Sequence, residues 1–207
     1  MVVLRVSDEI KILSHKGEYV VNFVSDGIDQ LNQQPIENAI YIVDQNIAQI
    51  YDNRLSNILN SQKALIIEAT EENKSLDQFP AYVESLVKLK VRRGQKLVAI
   101  GGGIIQDITC FLATTMMRGL PWMFYPTTLL AQSDSCIGSK SSINSRKLKN
   151  ILGTFTPPDQ VVIDVYFLLT LEEKDIFSGI GEMIKVHAIN SPESFDEISK
   201  NYEQLIN

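Results

Sequence analysis

The chain has 207 residues, of which 44% are hydrophobic and 21% charged, with a formal net charge of -6 and a sequence pI of about 5.0. This is the composition of a globular protein long enough to bury a core without staples, and it excludes a disordered chain. The acidic balance, the absence of an apolar run approaching the roughly 20 residues of a membrane span, and a charged Met1–Lys11 stretch unlike a signal peptide give the expectation of a cytoplasmic protein with no nucleic-acid and no membrane partner.

In chain order, Glu9–Leu13 and Tyr19–Val24 read as two strands joined at Lys16-Gly17 in a hairpin. Ala39–Val43 is a buried-type strand ending at Asp44, followed by a helix over Asn46–Leu59. Ala64–Ile67 is a strand and Leu76–Val91 a helix, with Phe79, Val83, Leu86 and Val87 at helical spacing. Leu97–Ile100 is a strand running into Gly101-Gly102-Gly103, and Ile104–Met117 a helix. Trp122–Tyr125 is a strand closed by Pro126. Thr127–Asn150, rich in Ser, Lys and Asn, reads as a long functional loop with one helical piece. Val161–Ile163 is a last strand, after which Leu171–Ala188 and Glu193–Leu205 read as helices.

Strands alternating with helices predict an α/β fold, a Rossmann-like parallel sheet with flanking helices. The helical run after Thr170 predicts the start of an all-helical second domain, with the boundary near Phe167–Thr170. The chain is thereby divided into 1–168 and 169–207. Cys110 and Cys136, with no C-x-x-C, read as buried free thiols. The densest basic stretch is read as Arg146, Lys147 and Lys149 with Lys140 nearby, enough local charge for a small phosphorylated ligand.

The triple glycine lies between a strand and a helix, where main-chain N–H groups and the helix dipole suit a pyrophosphate. It is not G-x-G-x-x-G, since Gln106 holds the last position, and a plain tight turn is the alternative. Ligands of open parallel sheets bind beyond the carboxyl ends of the strands. Asp44, at one such end, suits a ribose diol or a helix cap. Glu71 and Lys74 follow the next strand and suit a ligand or a solvated turn. Thr127 and Thr128 suit a cap or a phosphate. Asp134, Lys140, Lys149 and Asn150 together make an anion and hydroxyl pocket.

Several runs are more specific. Gly101-Gly102-Gly103-Ile104-Ile105-Gln106-Asp107 resembles the G-G-G-x-x-x-D signature of the 3-dehydroquinate synthase family, a branch of the sugar-phosphate cyclases. Met117-Arg118-Gly119 resembles its M-R-G. Pro126-Thr127-Thr128-Leu129-Leu130-Ala131-Gln132 with Asp134-Ser135 resembles its P-T-T-L-L-A-Q-x-D-S. Lys149-Asn150 with Gly153-Thr154-Phe155, Leu168-Leu169-Thr170-Leu171 and Gly181-Glu182-Met183-Ile184-Lys185 also match, as do Asp44 and Glu71-Glu72-Asn73-Lys74-Ser75. The resemblance covers nearly the whole chain in the family's order.

The resemblance implies a lyase that uses NAD as a returning catalyst. A hydroxyl is oxidised, phosphate leaves a phosphorylated ketose such as a heptulosonate phosphate, the ketone is reduced, and the ring recloses as a carbocycle. It implies zinc or cobalt as the metal, and a place in the shikimate pathway of aromatic amino acid biosynthesis. By position, Asp44, Glu71, Lys74, Gly102, Gly103, Asp107, Thr127, Thr128, Lys149, Phe167, Thr170 and Leu171 are implied as cofactor contacts. Asp134, Lys140, Asn150 and Lys185 are implied as substrate contacts, with Lys140, Lys185 and Asp134 catalytic. Arg118 is implied as a phosphate contact given to the neighbouring subunit of a homodimer, and Glu182 as a metal ligand.

The family's two zinc histidines would lie beyond Asn207. His15 reads as surface, and His187, about 140° around a helix from Glu182, does not share its face. The expectation is therefore the nucleotide-binding half of a longer enzyme, with the remaining metal ligands outside this chain and without turnover alone. Gln106 and Cys110 stand where the family shows glycines, and Ser139, Ser141 and Ser142 where it shows Gly, Thr and Gly. These departures admit a related cyclase making an aminodehydroquinate, deoxy-inosose or valiolone ring. The rivals are a glycerol-dehydrogenase-like oxidoreductase and a non-catalytic NAD-binding module.

Overall fold

The computed structural model describes residues 9–201. Strands β1 (Glu9–Ser14) and β2 (Gly17–Val24) form the expected antiparallel hairpin. Strands β3 (Ala39–Asp44), β4 (Ala64–Ile67), β5 (Lys96–Gly101), β6 (Trp122–Pro126) and β9 (Gln160–Asp164) complete one seven-stranded sheet of order β1-β2-β9-β6-β5-β3-β4. Every pairing in it after β1–β2 is parallel. Parallel sheets need both faces covered, which is why β3 and β6 are buried at every position.

Successive side chains of a strand point to opposite faces, so the sheet divides the core in two. Ile40, Ile42, Leu97, Ala99 and Phe124 pack with helices α4 (Phe79–Lys88) and α5 (Gly103–Thr115). Tyr41, Val43, Val98, Ile100 and Tyr125 pack on the other face with α1 (Gly27–Gln33), α2 (Gln45–Ile50) and α3 (Ser56–Leu59). The α/β expectation holds, with a helical pair, α6 (Glu173–Asn190) and α7 (Pro192–Lys200), at the C-terminal end. The expected helix over Glu193–Leu205 is seen to Lys200; its part at 202–207 lies outside the described residues.

Three local expectations are corrected. The helix read over Asn46–Leu59 is broken: α2 stops at Ile50, and a 3-10 turn at Asn53–Leu55 leads into α3. Buried Tyr51 and Leu55 pull the chain inward there. Helix α1 was not expected; its apolar residues are few, and its first N–H (Gly27) is held by the Asp164 carboxylate at 2.7 Å. The loop expected over Thr127–Asn150 contains a π-helical turn at Ala131–Ser135 and a hairpin of β7 (Lys140–Ser145) and β8 (Leu148–Phe155). Arg146 and Lys147 form the exposed tip of that hairpin. Both cysteines are free and buried, and burial pushes the Cys136 thiol up to about 12.

No described helix is long and apolar enough to cross a membrane.

Candidate active site

In-register parallel pairing fixes where the strand tips lie. Val43 pairs with Ile100, Asp44 with Ile67, and Gly101 with Pro126, so Asp44, Gly102 and Thr127 emerge at one edge of the sheet. Thr127 N–H donates to Gly101 O at 3.0 Å, joining two of these tips directly. The gathering follows from topology, since all three follow parallel strands.

Gly102 is the residue before α5 and offers it no side-chain cap. A Cβ on Gly102 would meet Thr128 Cγ2 at 3.0 Å, so a side chain there would crowd the Thr128 loop. Gln106 N–H is the first to close a helical bond, on Gly102 O at 3.0 Å. The N–H groups of Gly103, Ile104 and Ile105 precede that first bond and have no intrahelical acceptor. They present donors and the positive dipole end of a 13-residue helix.

Two cavities adjoin this edge. One, of about 250 Å³, is lined by Asp44, Asn46, Thr127, Thr128, Thr170 and Leu171, among others. The second, of about 430 Å³, is lined by Glu71, Lys74, Gly103, Asp107, Thr128 and Lys140, among others. Thr128 and Asp175 line both, so the two form one crevice between the sheet edge and α6. A larger cavity of about 540 Å³, with Lys63, Lys88, Lys90, Arg92 and Arg93, lies beside the other end of the strands. It gathers more cations than the Arg146–Lys149 stretch, but its glycine, Gly94, opens no helix, and no carboxylate faces it.

Asp44 is 8% exposed, and burial raises its carboxyl above the ordinary carboxylate range. One oxygen accepts Asn46 N–H at 2.9 Å and caps α2. The other accepts no hydrogen bond among the described residues, so cap and ligand roles coexist. Lys74, 5% exposed, is committed to the protein: its ammonium donates to Asp107 at 3.0 Å and Asn150 at 2.9 Å, with Glu71 at 3.7 Å. Burial raises the Asp107 carboxyl despite Lys74 and the Ser142 N–H at 2.9 Å. Glu71 titrates below the ordinary range, chiefly through its hydrogen bond from Asn144 at 2.9 Å.

The remaining expected residues divide. Thr170 and Leu171 line the crevice, whereas the Phe167 ring is 2% exposed and packs edge-on against Tyr51, leaving only its backbone for a ligand. Asp134 is exposed on the π-helical turn, and Lys149 on β8 lies near enough to help lower Glu71. Arg118 is not brought to this crevice. It is exposed, with φ 70°, in the turn before β6, at the amino edge of the sheet.

Asp175, Ser178, Glu182 and Lys185 recur at helical spacing along α6, and the first two line the crevice. Glu182 and Lys185 form an ion pair. Glu182 therefore offers a metal one carboxylate already shared with an ammonium. His187 is turned to Ser194 Oγ, 2.9 Å away, and no cluster of three His, Cys, Asp or Glu suited to a metal occurs among the described residues. Catalytic zinc sites use three protein ligands, so these residues do not by themselves fit a metal.

Four residues were missed by sequence reasoning. Gln106 donates to Ser135 O at 2.6 Å and accepts from Ser135 Oγ at 2.7 Å, tying α5 to the π-helical turn. Gln132 ties that turn to Pro126 O and Asp164 O at 3.0 and 2.9 Å. Asp164, like Asp44, is a carboxylate closing a strand, a signal that was available. Asn144, 5% exposed, had none, because its strand was read as loop.

Helix α6 rests on this arrangement through Gly179, where a Cβ would come within 2.5 Å of Leu129 Cγ. Gly179→Val is expected to lift α6 from the crevice and to cost about 2 kcal/mol, the overpacking range, read by urea unfolding. An unchanged midpoint with an unchanged α6 would show that the contact relaxes freely.

A family model described as 3-dehydroquinate synthase N-terminal matches residues 64–178. The 3-dehydroquinate synthase of Alkaliphilus metalliredigens is 36% identical over 172 residues, 82% of this chain and 48% of that protein. That of Desulforamulus reducens is 35% identical over 195 residues, 91% of this chain and 54% of that protein. Among solved structures, ValA, a 2-epi-5-epi-valiolone synthase from Streptomyces hygroscopicus subsp. jinggangensis with NAD+ and Zn2+ bound, superposes with a TM-score of 0.80 at 27% identity. The match covers 95% of this chain and 56% of that one. The chain thus spans about half the length of the curated relatives it matches.

Proposed function

The chain belongs to the 3-dehydroquinate synthase family, and from that premise we propose that it is the NAD-binding half of a cytoplasmic sugar-phosphate cyclase that eliminates phosphate from a phosphorylated ketose and closes a carbocycle. The observation that carries the reading is the single crevice holding Asp44, the free N–H groups behind Gly102 and the Thr127–Thr128 loop. Residues 1–168 then form the nucleotide domain, and 169–207 open the helical domain. The exposed Phe177, Val186 and Ile189 on α6 leave apolar surface for further helices.

These residues fit a dinucleotide. The free Asp44 oxygen accepts from a ribose diol, the first turn of α5 receives the pyrophosphate, and Thr127, Thr128, Thr170 and Leu171 close the walls. Bound NAD supplies a hydride acceptor that returns the hydride within one turnover. Lys140 and Lys185 supply cations for a phosphorylated substrate, with Asp134 as acceptor. Lys185 also neutralises Glu182, so a metal would need further ligands from outside this chain. Exposed Arg118, away from its own crevice, suits delivery to the partner of a homodimer. The polar Gln106 and Ser142 beside the substrate side favour a second reading, a cyclase of valiolone or inosose type.

Calorimetric titration of the 207-residue protein with NAD+ is expected to give weak one-to-one binding, and no heat at millimolar ligand would sink the cofactor assignment. With zinc and NAD+ added, release of inorganic phosphate from a heptulosonate phosphate is expected to stay at the blank rate. Measured release above blank would show that this half suffices.

A further inference from the structure

Asn144 commits both ends of its side-chain amide and its backbone N–H. Its Nδ2 donates to Glu71 O at 3.0 Å and Glu71 Oε2 at 2.9 Å. Its Oδ1 accepts Asn150 N–H at 2.9 Å, and its own N–H donates to Lys74 O at 2.9 Å. It is 5% exposed and sits where β7 bridges to Ser75. Glu71 and Lys74 of the crevice, and Asn150 beside them, therefore hang on one residue, which lies 73 positions from Glu71 in the chain.

The far end of the clasp has an uncommon backbone. Asn150 has φ 54°, the left-handed conformation, which asparagine tolerates better than most side chains do. Its Oδ1 accepts from Lys74 Nζ at 2.9 Å and Ser142 Oγ at 3.0 Å, while its Nδ2 makes no hydrogen bond among the described residues. The clasp thus fixes the backbone that presents this free amide donor.

We propose that Asn144 is a positioning residue that locks the cofactor-side segment Glu71–Lys74 to the substrate-side Asn150, so that both sides of the crevice hold one geometry. The assignment of sides rests on the NAD reading above; the lock itself does not. Asn144 touches neither ligand in this scheme and acts through Glu71 and Asn150.

Two variants separate its two arms. Asn144→Ala removes both. Asn144→Asp keeps the acceptor for Asn150 N–H but loses the donor to Glu71. The groups facing Glu71 are Lys74 on its own segment, Lys149 on β8, Asp107 on α5 and Asn144 itself. Carboxyl NMR of the ligand-free protein is expected to show Glu71 titrating higher in Asn144→Ala and higher still in Asn144→Asp. Amide exchange at Asn150 is expected to quicken roughly tenfold in Asn144→Ala only. Ser141→Ala removes a different buried bond of the same hairpin, Ser141 Oγ to Thr154 Oγ1 at 2.8 Å, and is expected to move neither readout.

The Kd for NAD+ is expected to rise roughly tenfold in Asn144→Ala. An unmoved Glu71 midpoint with unchanged Asn150 exchange in Asn144→Ala would overturn the lock, as would equal shifts in Ser141→Ala. If the wild-type protein fails to bind NAD+ while both NMR shifts appear, the cofactor reading falls and the lock stands.

Discussion

Lys74→Ala is expected to be the most destabilising single substitution in the crevice, at about 3 kcal/mol, because it strands a largely buried carboxylate. The Lys74 side chain is 7% exposed and that of Asp107 18%, so the pair is screened little by solvent. The ammonium also bridges to Asn150, so its loss loosens α5, the segment after β4 and the β7–β8 hairpin together. Burial already raises the Asp107 carboxyl. Folded Asp107 therefore keeps its proton to higher pH than the unfolded chain does, and stability falls as pH rises through that window. Removing Lys74 extends the window upward. Urea unfolding is expected to show part of the loss regained between about pH 7 and about pH 5. Asp107→Asn in the Lys74→Ala background is expected to restore part of the stability at neutral pH. A loss independent of pH and not relieved by that second change would mean that packing of the lysine stem, not its charge, carries the effect.

Asp44→Ala is expected to weaken NAD+ binding roughly fiftyfold, the range for losing a charge-assisted hydrogen-bond acceptor. The same change removes the α2 cap and costs about 1 kcal/mol of stability. Asp44→Asn separates the two effects, since an amide oxygen still caps α2 through Asn46 N–H. It is expected to keep the unfolding midpoint while retaining most of the affinity loss, because the carboxylate's second anionic acceptor is gone. Burial raises Asp44, so affinity of the unaltered protein is expected to fall on acidification earlier than for an exposed aspartate. Equal Kd values for Asp44→Asn and the parent protein would remove Asp44 from the ribose site.

How much was legible in the sequence follows from which interactions are local. β3, β5 and β6 announced themselves because their residues are buried on both faces and so apolar without interruption. Lys140–Ser145 did not, because its buried positions hold Ser141, Ile143 and Asn144, and two of these three are polar residues satisfied by distant partners. The 46–59 helix was over-extended because its break is made by tertiary burial of Tyr51 and Leu55, not by proline or glycine.

The chain itself determined the strand tips, the triple-glycine turn and which polar residues follow each strand, since these depend on short-range pattern and backbone freedom. Only the tertiary structure decided that Lys74 is a buried clasp, that the Phe167 ring belongs to the core, that Arg118 sits at the far edge, and that Asn144 joins Glu71 to Asn150. Those outcomes depend on packing, hydrogen bonds, ion pairs and chain topology that link residues far apart in sequence, and they are fixed only when parallel register brings the strand ends together.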